Sequence, residues 1–179
     1  MKIAIFGGSF NPFTNAHLKN VETLLEQSDI VATVVSTENP HKSNDTMIPY
    51  FHRVNMAEIA LKNTLYSKDE RDYISFARMM MQKYPGPLRS WHFIDWFVNK
   101  SHKNYEPMLV FGEDLKEDFE KFERVDFLRE NAEILFLPET SIWHATDVRA
   151  MIQSGNEEWK THVPEVVANY IEMHGLYKE

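Results

Sequence analysis

The chain has 179 residues, 43% hydrophobic and 26% charged, with 19 basic against 27 acidic side chains and a net charge of −8. That length suits one domain, or one domain with a small appendage, and the apolar fraction is enough to build a core. The acidic balance argues against broad binding of nucleic acid or of an acidic membrane, and the lack of cysteine excludes disulfides, thiolate metal sites and a cysteine nucleophile.

In chain order, residues 3–6 (Ile-Ala-Ile-Phe) are a short apolar run that predicts a first buried strand. Met1-Lys2 enters it at once, which leaves no room for a cleaved leader and predicts a cytoplasmic protein. Gly7 and Gly8 follow, then Ser9-Phe10-Asn11-Pro12-Phe13-Thr14-Asn15-Ala16-His17, then a helix over 18–25. A glycine pair between a strand and a helix start is where α/β proteins place phosphates. Glycine lets the backbone approach the anion, and the unpaired N–H groups of the first helical turn supply donors. His17 lies three residues after Thr14, on the same face of that turn, and is expected to be a cationic donor to the phosphate.

The β-branched run 30–36 predicts a second strand, and 37–49 is polar and turn-rich. Apolar residues at helical spacing predict a helix over 51–65. A short strand is expected over 73–76, a break at Pro85-Gly86-Pro87, an aromatic-rich helix over 91–98, and strands over 108–112 and 134–138. A helix over 146–153, opened by the Thr146 hydroxyl, carries Asp147 in its first turn and Gly155 beyond its end. A closing helix spans 164–173. Strands separated by helices imply an α/β, doubly wound, mainly parallel sheet. Neither repeats nor linkers divide the chain, so one domain is expected over 1–179, its helical C-terminal part starting near residue 140. The Met79-Met80-Met81 run is expected to fill a core. The other seven histidines show no metal-ligand spacing. No run reaches the roughly eighteen apolar residues of a membrane helix.

The segment from Gly8 to His17 resembles the nucleotidyltransferase superfamily, whose signature is G-x-F-x-P-x-[H/T]-x-x-H. Within it, the chain is similar to the nicotinate or nicotinamide mononucleotide adenylyltransferases. Later segments agree in order: Pro40-His41-Lys42 resembles a P-H-K loop, Arg53 with Met56 an R-x-x-M helix start, and Gly112-Glu113-Asp114 a G-x-D turn. Ala145-Thr146-Asp147-Val148-Arg149 resembles the I-S-S-T-x-I-R helix start, and Tyr170, Leu176 and Tyr177 fall in the closing helix pattern. Thr14 and Ala16 stand where bacterial members usually have histidine and glycine. Ile142-Trp143-His144-Ala145 replaces the usual I-S-S run, and Ser90 to Trp96 replaces a threonine-bearing segment that helps hold a pyridine ring.

The resemblance implies a Rossmann-like nucleotidyltransferase fold and adenylyl transfer from ATP, with its Mg²⁺, to a pyridine mononucleotide, giving a dinucleotide and pyrophosphate in NAD biosynthesis. It implies His17, Thr14 and Arg149 as catalytic. It implies Gly7, Gly8, Ser9, Phe10, Gly112, Asp114 and Thr146 around ATP and its phosphates, and Lys42 and Trp91 at the mononucleotide. No metal is held by protein ligands in this reading. Asp114 also suits a turn or cap, and Phe10 suits loop packing. An acceptor such as phosphopantetheine, and a nucleotide-binding homologue without turnover, stay open as alternatives. So do acid against amide acceptor and monomer against homo-oligomer.

Overall fold

The computed structural model describes residues 1–37, 47–64, 80, 88–99, 104–139 and 141–178. The expected strand over 73–76, the break at 85–87, and Lys42 with its loop lie outside the described residues. The chain divides into two compact units, each assembled from three separate stretches.

The first unit comprises Met1–Gly7, Val21–Val34 and Asp69–Glu139. It carries the sheet: β1 (Lys2–Gly8), β2 (Ile30–Val35), β3 (Glu106–Gly112) and β4 (Glu133–Leu137). The order is β2-β1-β3-β4, and β1–β3 and β3–β4 pair in parallel, Ile5 opposite Leu109 and Val110 opposite Leu135. β1 reads as continuously apolar, not alternating, because parallel strands are covered on both faces. β1 and β3 are parallel neighbours, so their carboxyl ends share one edge of the sheet, the edge at which open α/β sheets bind ligands.

Helix α3 (Ser90–Asn99) buries Phe93, Ile94 and Phe97, a single helical stripe. These join Ile3, Ile5, Ala32, Val34, Leu109 and Leu128 in one core, Leu128 coming from α4 (Val125–Asn131). Met80 is fully buried in that core, as the methionine run predicts; its two neighbours lie outside the described residues.

The second unit comprises Gly8–Asn20, Val35–Lys68 and Thr140–Glu179. α1 (Asn15–Leu25) starts in it. α2 (Tyr50–Thr64) packs on α6 (Glu165–His174), His52 and Asn55 meeting Tyr170, and each helix buries an apolar side, Val54 and Ala57 on the one and Val167, Ala168 and Ile171 on the other. α5 (Ala145–Ser154) packs on a 3₁₀ segment, Glu157–His162. Gly155 and Gly175 end α5 and α6 at φ 73° and 60°, left-handed positions that glycine takes without strain.

One helix start differs from expectation. α5 begins at Ala145 with His144 as its N-cap, so Thr146 is the second residue of the helix and not its opening hydroxyl. The Asp147 carboxylate accepts the His144 N–H at 2.7 Å, and with His144 as the cap the helix starts two residues earlier than it would from a Thr146 cap. No described helix is long and apolar enough to cross a membrane.

Candidate active site

The loop that leaves β1 is held through its carbonyl oxygens. Gly8 O accepts the Ser36 N–H at 2.9 Å. Ser9 O accepts from Arg53 Nη1 and Asn11 O from Arg149 Nη1, both at 2.7 Å. In a trans peptide plane the N–H points opposite to the C=O, so tying Gly8 and Ser9 by their oxygens turns the N–H edges of those planes the other way.

Phe10 sits at φ 45° and is only 2% exposed. A left-handed non-glycine residue costs roughly 1 kcal/mol or more, offset here by burial of the ring. That ring stands 5.3 Å from the Phe13 centroid and edge-on to His17 at 4.9 Å. It also covers Gly8: a Cβ on Gly8 would lie 2.9 Å from Phe10 Cζ. Gly8 is therefore dictated by packing. Gly7 is not, since a Cβ there would meet nothing within 4 Å. Phe10, expected beside the phosphates, spends its side chain on the loop's own packing.

Thr14 and His17 are joined reciprocally at the start of α1. The Thr14 N–H donates to His17 Nδ1 at 2.9 Å, and the His17 N–H donates to Thr14 Oγ1 at 3.4 Å. This is a capping box with histidine in the place usually held by Glu or Gln. Thr14 Oγ1 also lies 3.0 Å from Nδ1. An Nδ1 that accepts a backbone N–H carries no proton, so the ring is the neutral tautomer with its hydrogen on Nε2. In that tautomer the ring presents an Nε2–H, and Phe10, Phe13 and the cap orient it. Thr14 is 3% exposed, and its hydroxyl is engaged with His17.

Arg149 lies one turn into α5, half-buried. Its Nη2 donates to Thr146 Oγ1 at 3.3 Å, which puts the exposed Thr146 and Arg149 on one face. Burial pushes its pKa down while Tyr177 and Asp147 push it up; the guanidinium stays charged. Asn11 anchors the same corner. Its Oδ1 accepts the Tyr177 hydroxyl at 2.8 Å and the Ile48 N–H at 3.5 Å. Burial pushes the Tyr177 phenol well up, so that hydroxyl keeps its proton and donates. The second unit thus gathers Gly8, Ser9, Phe10, Thr14, His17, Thr146 and Arg149 around one loop.

Of the other expected residues that are described, Gly7, Gly112, Asp114 and Trp91 belong to the first unit. Gly112 ends β3, and the Asp114 carboxylate folds back over it so closely that a Cβ on Gly112 would collide with Asp114 Oδ1. The Asp114 carboxylate makes no hydrogen bond or ion pair among the described residues and is exposed. Trp91 stacks on His92 at 3.7 Å, and the Arg124 guanidinium lies 4.6 Å from a ring centroid of the same indole. His92 Nδ1 accepts the Arg89 N–H at 2.9 Å, and Asp95 Oδ1 accepts Asn99 Nδ2, so both substituted positions serve α3 itself. Among the described residues, no three His, Asp or Glu side chains cluster to hold a metal ion.

Sequence reasoning left Asn11 and Arg53 without a role. The one signal for Arg53 was its place in the R-x-x-M helix start. Asn11 carried none beyond preceding Pro12.

Known proteins resemble the chain throughout. A probable nicotinate-nucleotide adenylyltransferase of Christiangramia forsetii is 27% identical over 180 residues, 98% of this chain and 83% of that one. The nicotinate-nucleotide adenylyltransferase of Bacillus subtilis is 25% identical, covering 99% and 98%. The structure of Plasmodium falciparum nicotinic acid mononucleotide adenylyltransferase complexed with NaAD superposes with a TM-score of 0.71 at 17% identity, covering 98% and 97%; that likeness carries the fold. Residues 5–168 match the family described as Cytidylyltransferase-like, and with the glycine loop, the capped His17 and the α5 arginine in place, the chain belongs to that cytidylyltransferase-like family.

Proposed function

We propose that the chain is a pyridine-mononucleotide adenylyltransferase. The observation that carries this is the Thr14–His17 box standing in one unit with Arg149, whose guanidinium is tied to the same loop at Asn11. The names of the full-length relatives support it. A phosphate oxygen of the mononucleotide attacks the α-phosphorus of MgATP. A new P–O bond forms as the bond from that phosphorus to the bridging oxygen of the β-phosphate breaks, and Mg-pyrophosphate leaves. The attacker is already an anion, so no base is required, and the protein's work is positioning and charge stabilisation.

His17 Nε2–H donates to a non-bridging α-phosphate oxygen. Gly7 leaves the backbone open for the anion to approach. The α5 N-terminus with Thr146 and Arg149 takes the β- and γ-phosphates. Following the resemblance, Asp114 accepts the adenosine ribose hydroxyls, Lys42 meets the mononucleotide phosphate, and Trp91 borders the pyridine. Mg²⁺ arrives on the triphosphate, which needs few protein ligands. Soluble, cytoplasmic operation fits substrates of this kind.

The test is a panel. ATP and Mg²⁺ are incubated separately with nicotinate mononucleotide, nicotinamide mononucleotide and phosphopantetheine, and pyrophosphate and dinucleotide are followed. Dinucleotide from a pyridine substrate is expected. Pyrophosphate released only with phosphopantetheine, or ATP binding without turnover on any acceptor, would refute the reading.

A further inference from the structure

Arg53, in the first turns of α2, is 1% exposed and so cannot touch substrate. Its side chain runs back toward the helix N-terminus, as helical side chains do, and meets four carbonyl oxygens. Nε donates to Ile48 O at 3.2 Å, Nη1 to Ser9 O and Ser36 O at 2.7 Å each, and Nη2 to Thr37 O at 3.3 Å. The Tyr50 ring lies 5.6 Å from its Cζ. Among the described residues no carboxylate pairs with it. Burying a charge is costly without compensation, and among the described residues the compensation is four carbonyl dipoles. A fold needing only a core filler at this position would carry an apolar side chain, which is commonly as stable as a buried ion.

We propose that Arg53 is a positioning residue for the phosphate loop: its rigid fork sets the Ser9 peptide plane against Ser36 and Thr37, the residues that follow β2. The neighbouring Gly8 O···H–N Ser36 bond, at 2.9 Å, spans the same two segments, so the loop is fixed before any ligand arrives. This rests on the adenylyl-transfer reading and adds a residue to it. A lysine keeps the charge but offers no planar fork. It cannot hold Ser9 and Ser36 on one nitrogen while reaching Thr37 and Ile48 with two others.

The experiment compares wild type with Arg53→Lys for melting temperature, inorganic pyrophosphate binding by calorimetry, and kcat and KM for adenylyl transfer. Expected is a folded variant whose kcat/KM falls about 100-fold, the size of effect that a displacement of about 1 Å in a reacting group produces, with pyrophosphate affinity weakened in parallel. A folded Arg53→Lys protein with wild-type turnover and pyrophosphate affinity overturns the proposal, whatever its melting temperature. Wild type inactive with every acceptor sinks the adenylyl-transfer reading instead. Should Arg53→Lys fail to fold, amide hydrogen exchange of the wild type decides. The Ser36 amide must be protected as strongly as β-sheet amides without ligand and change little on adding pyrophosphate, whereas exchange at the rate of a free peptide refutes a preset loop.

Discussion

Thr14 holds His17 by two bonds running in opposite directions, and that favours the tautomer with its hydrogen on Nε2. Protonating Nδ1 would set an N–H against the Thr14 N–H, so the imidazolium form is incompatible with the cap. ¹⁵N-histidine spectra at neutral pH are therefore expected to show His17 with an unprotonated Nδ1 and a protonated Nε2; an imidazolium spectrum would refute the neutral-donor assignment. His17→Ala should lower kcat by roughly 10²–10³, the usual loss for one positioned donor to a developing oxyanion, with the fold intact. Thr14→Val, which keeps the bulk and loses the hydroxyl, should cost about 1 kcal/mol of stability as caps do and slow turnover through His17, while Thr14→Ser keeps both. The two loop glycines separate packing from ligand approach. Gly8→Ala drives a methyl into the Phe10 ring and should lower the melting temperature, whereas Gly7→Ala has open space and should melt like wild type while losing ATP affinity. A Gly7→Ala protein with unchanged ATP affinity would remove Gly7 from the site.

Two helices share the His17 device. α1 and α3 each have histidine at the third helical position accepting the N–H of the residue before the helix, His17 from Thr14 and His92 from Arg89, and α5 does the same with Asp147. These histidines were legible as residues but not as caps, because the capping pattern read from sequence looks for Glu or Gln. The strands were legible because parallel strands are apolar on both faces, and the helix ends because Gly155 and Gly175 stop them. Arg53 was not legible as a buried strut, since its partners are backbone oxygens and carry no residue identity.

The seam between α2 and α6 holds a third histidine whose state has a consequence for stability. His52 Nδ1 lies 2.9 Å from the Tyr170 hydroxyl, which in turn accepts Asn55 Nδ2 at 3.0 Å. With Asn55 donating to it, the hydroxyl keeps its own proton to give, and a neutral His52 Nδ1 can accept that proton. His174 and Phe51 pack on the ring. Burial pushes the His52 pKa below 6.5, and His174 lowers it further. A depressed pKa means that the unfolded chain takes the proton first. The seam's contribution is therefore complete above pH 6.5 and is lost as pH falls through the lowered value. Melting temperatures measured from pH 7.5 down to 5 should fall for wild type and fall less for His52→Phe, which keeps a ring and cannot titrate. Parallel curves for the two proteins would show that His52 is not the group responsible.

On the scale of the molecule, the chain passes back and forth between its two units. The first is built from Met1–Gly7, Val21–Val34 and Asp69–Glu139, the second from Gly8–Asn20, Val35–Lys68 and Thr140–Glu179. Neither is a continuous stretch. β1 runs on into the glycine loop, and α1 begins in one unit and ends in the other. Unfolding one unit would cut the covalent supports of the other at several points, so we propose that the 179 residues behave as one cooperative domain. Calorimetric and van't Hoff enthalpies should then agree, and far-ultraviolet circular dichroism and tryptophan fluorescence should report one midpoint. Inorganic pyrophosphate, which the proposed function places at the loop and α5 of the second unit, supplies the sharper test. By mass action a ligand at a hundred times its dissociation constant stabilises the state that binds it by about 2.7 kcal/mol. If the units unfold together, that gain must move the whole transition, including the signal from Trp91 and Trp96 in the first unit. If pyrophosphate splits the curve, raising the midpoint for Trp143 and Trp159 in the second unit while that for Trp91 and Trp96 stays where it was, the two units are energetically separate.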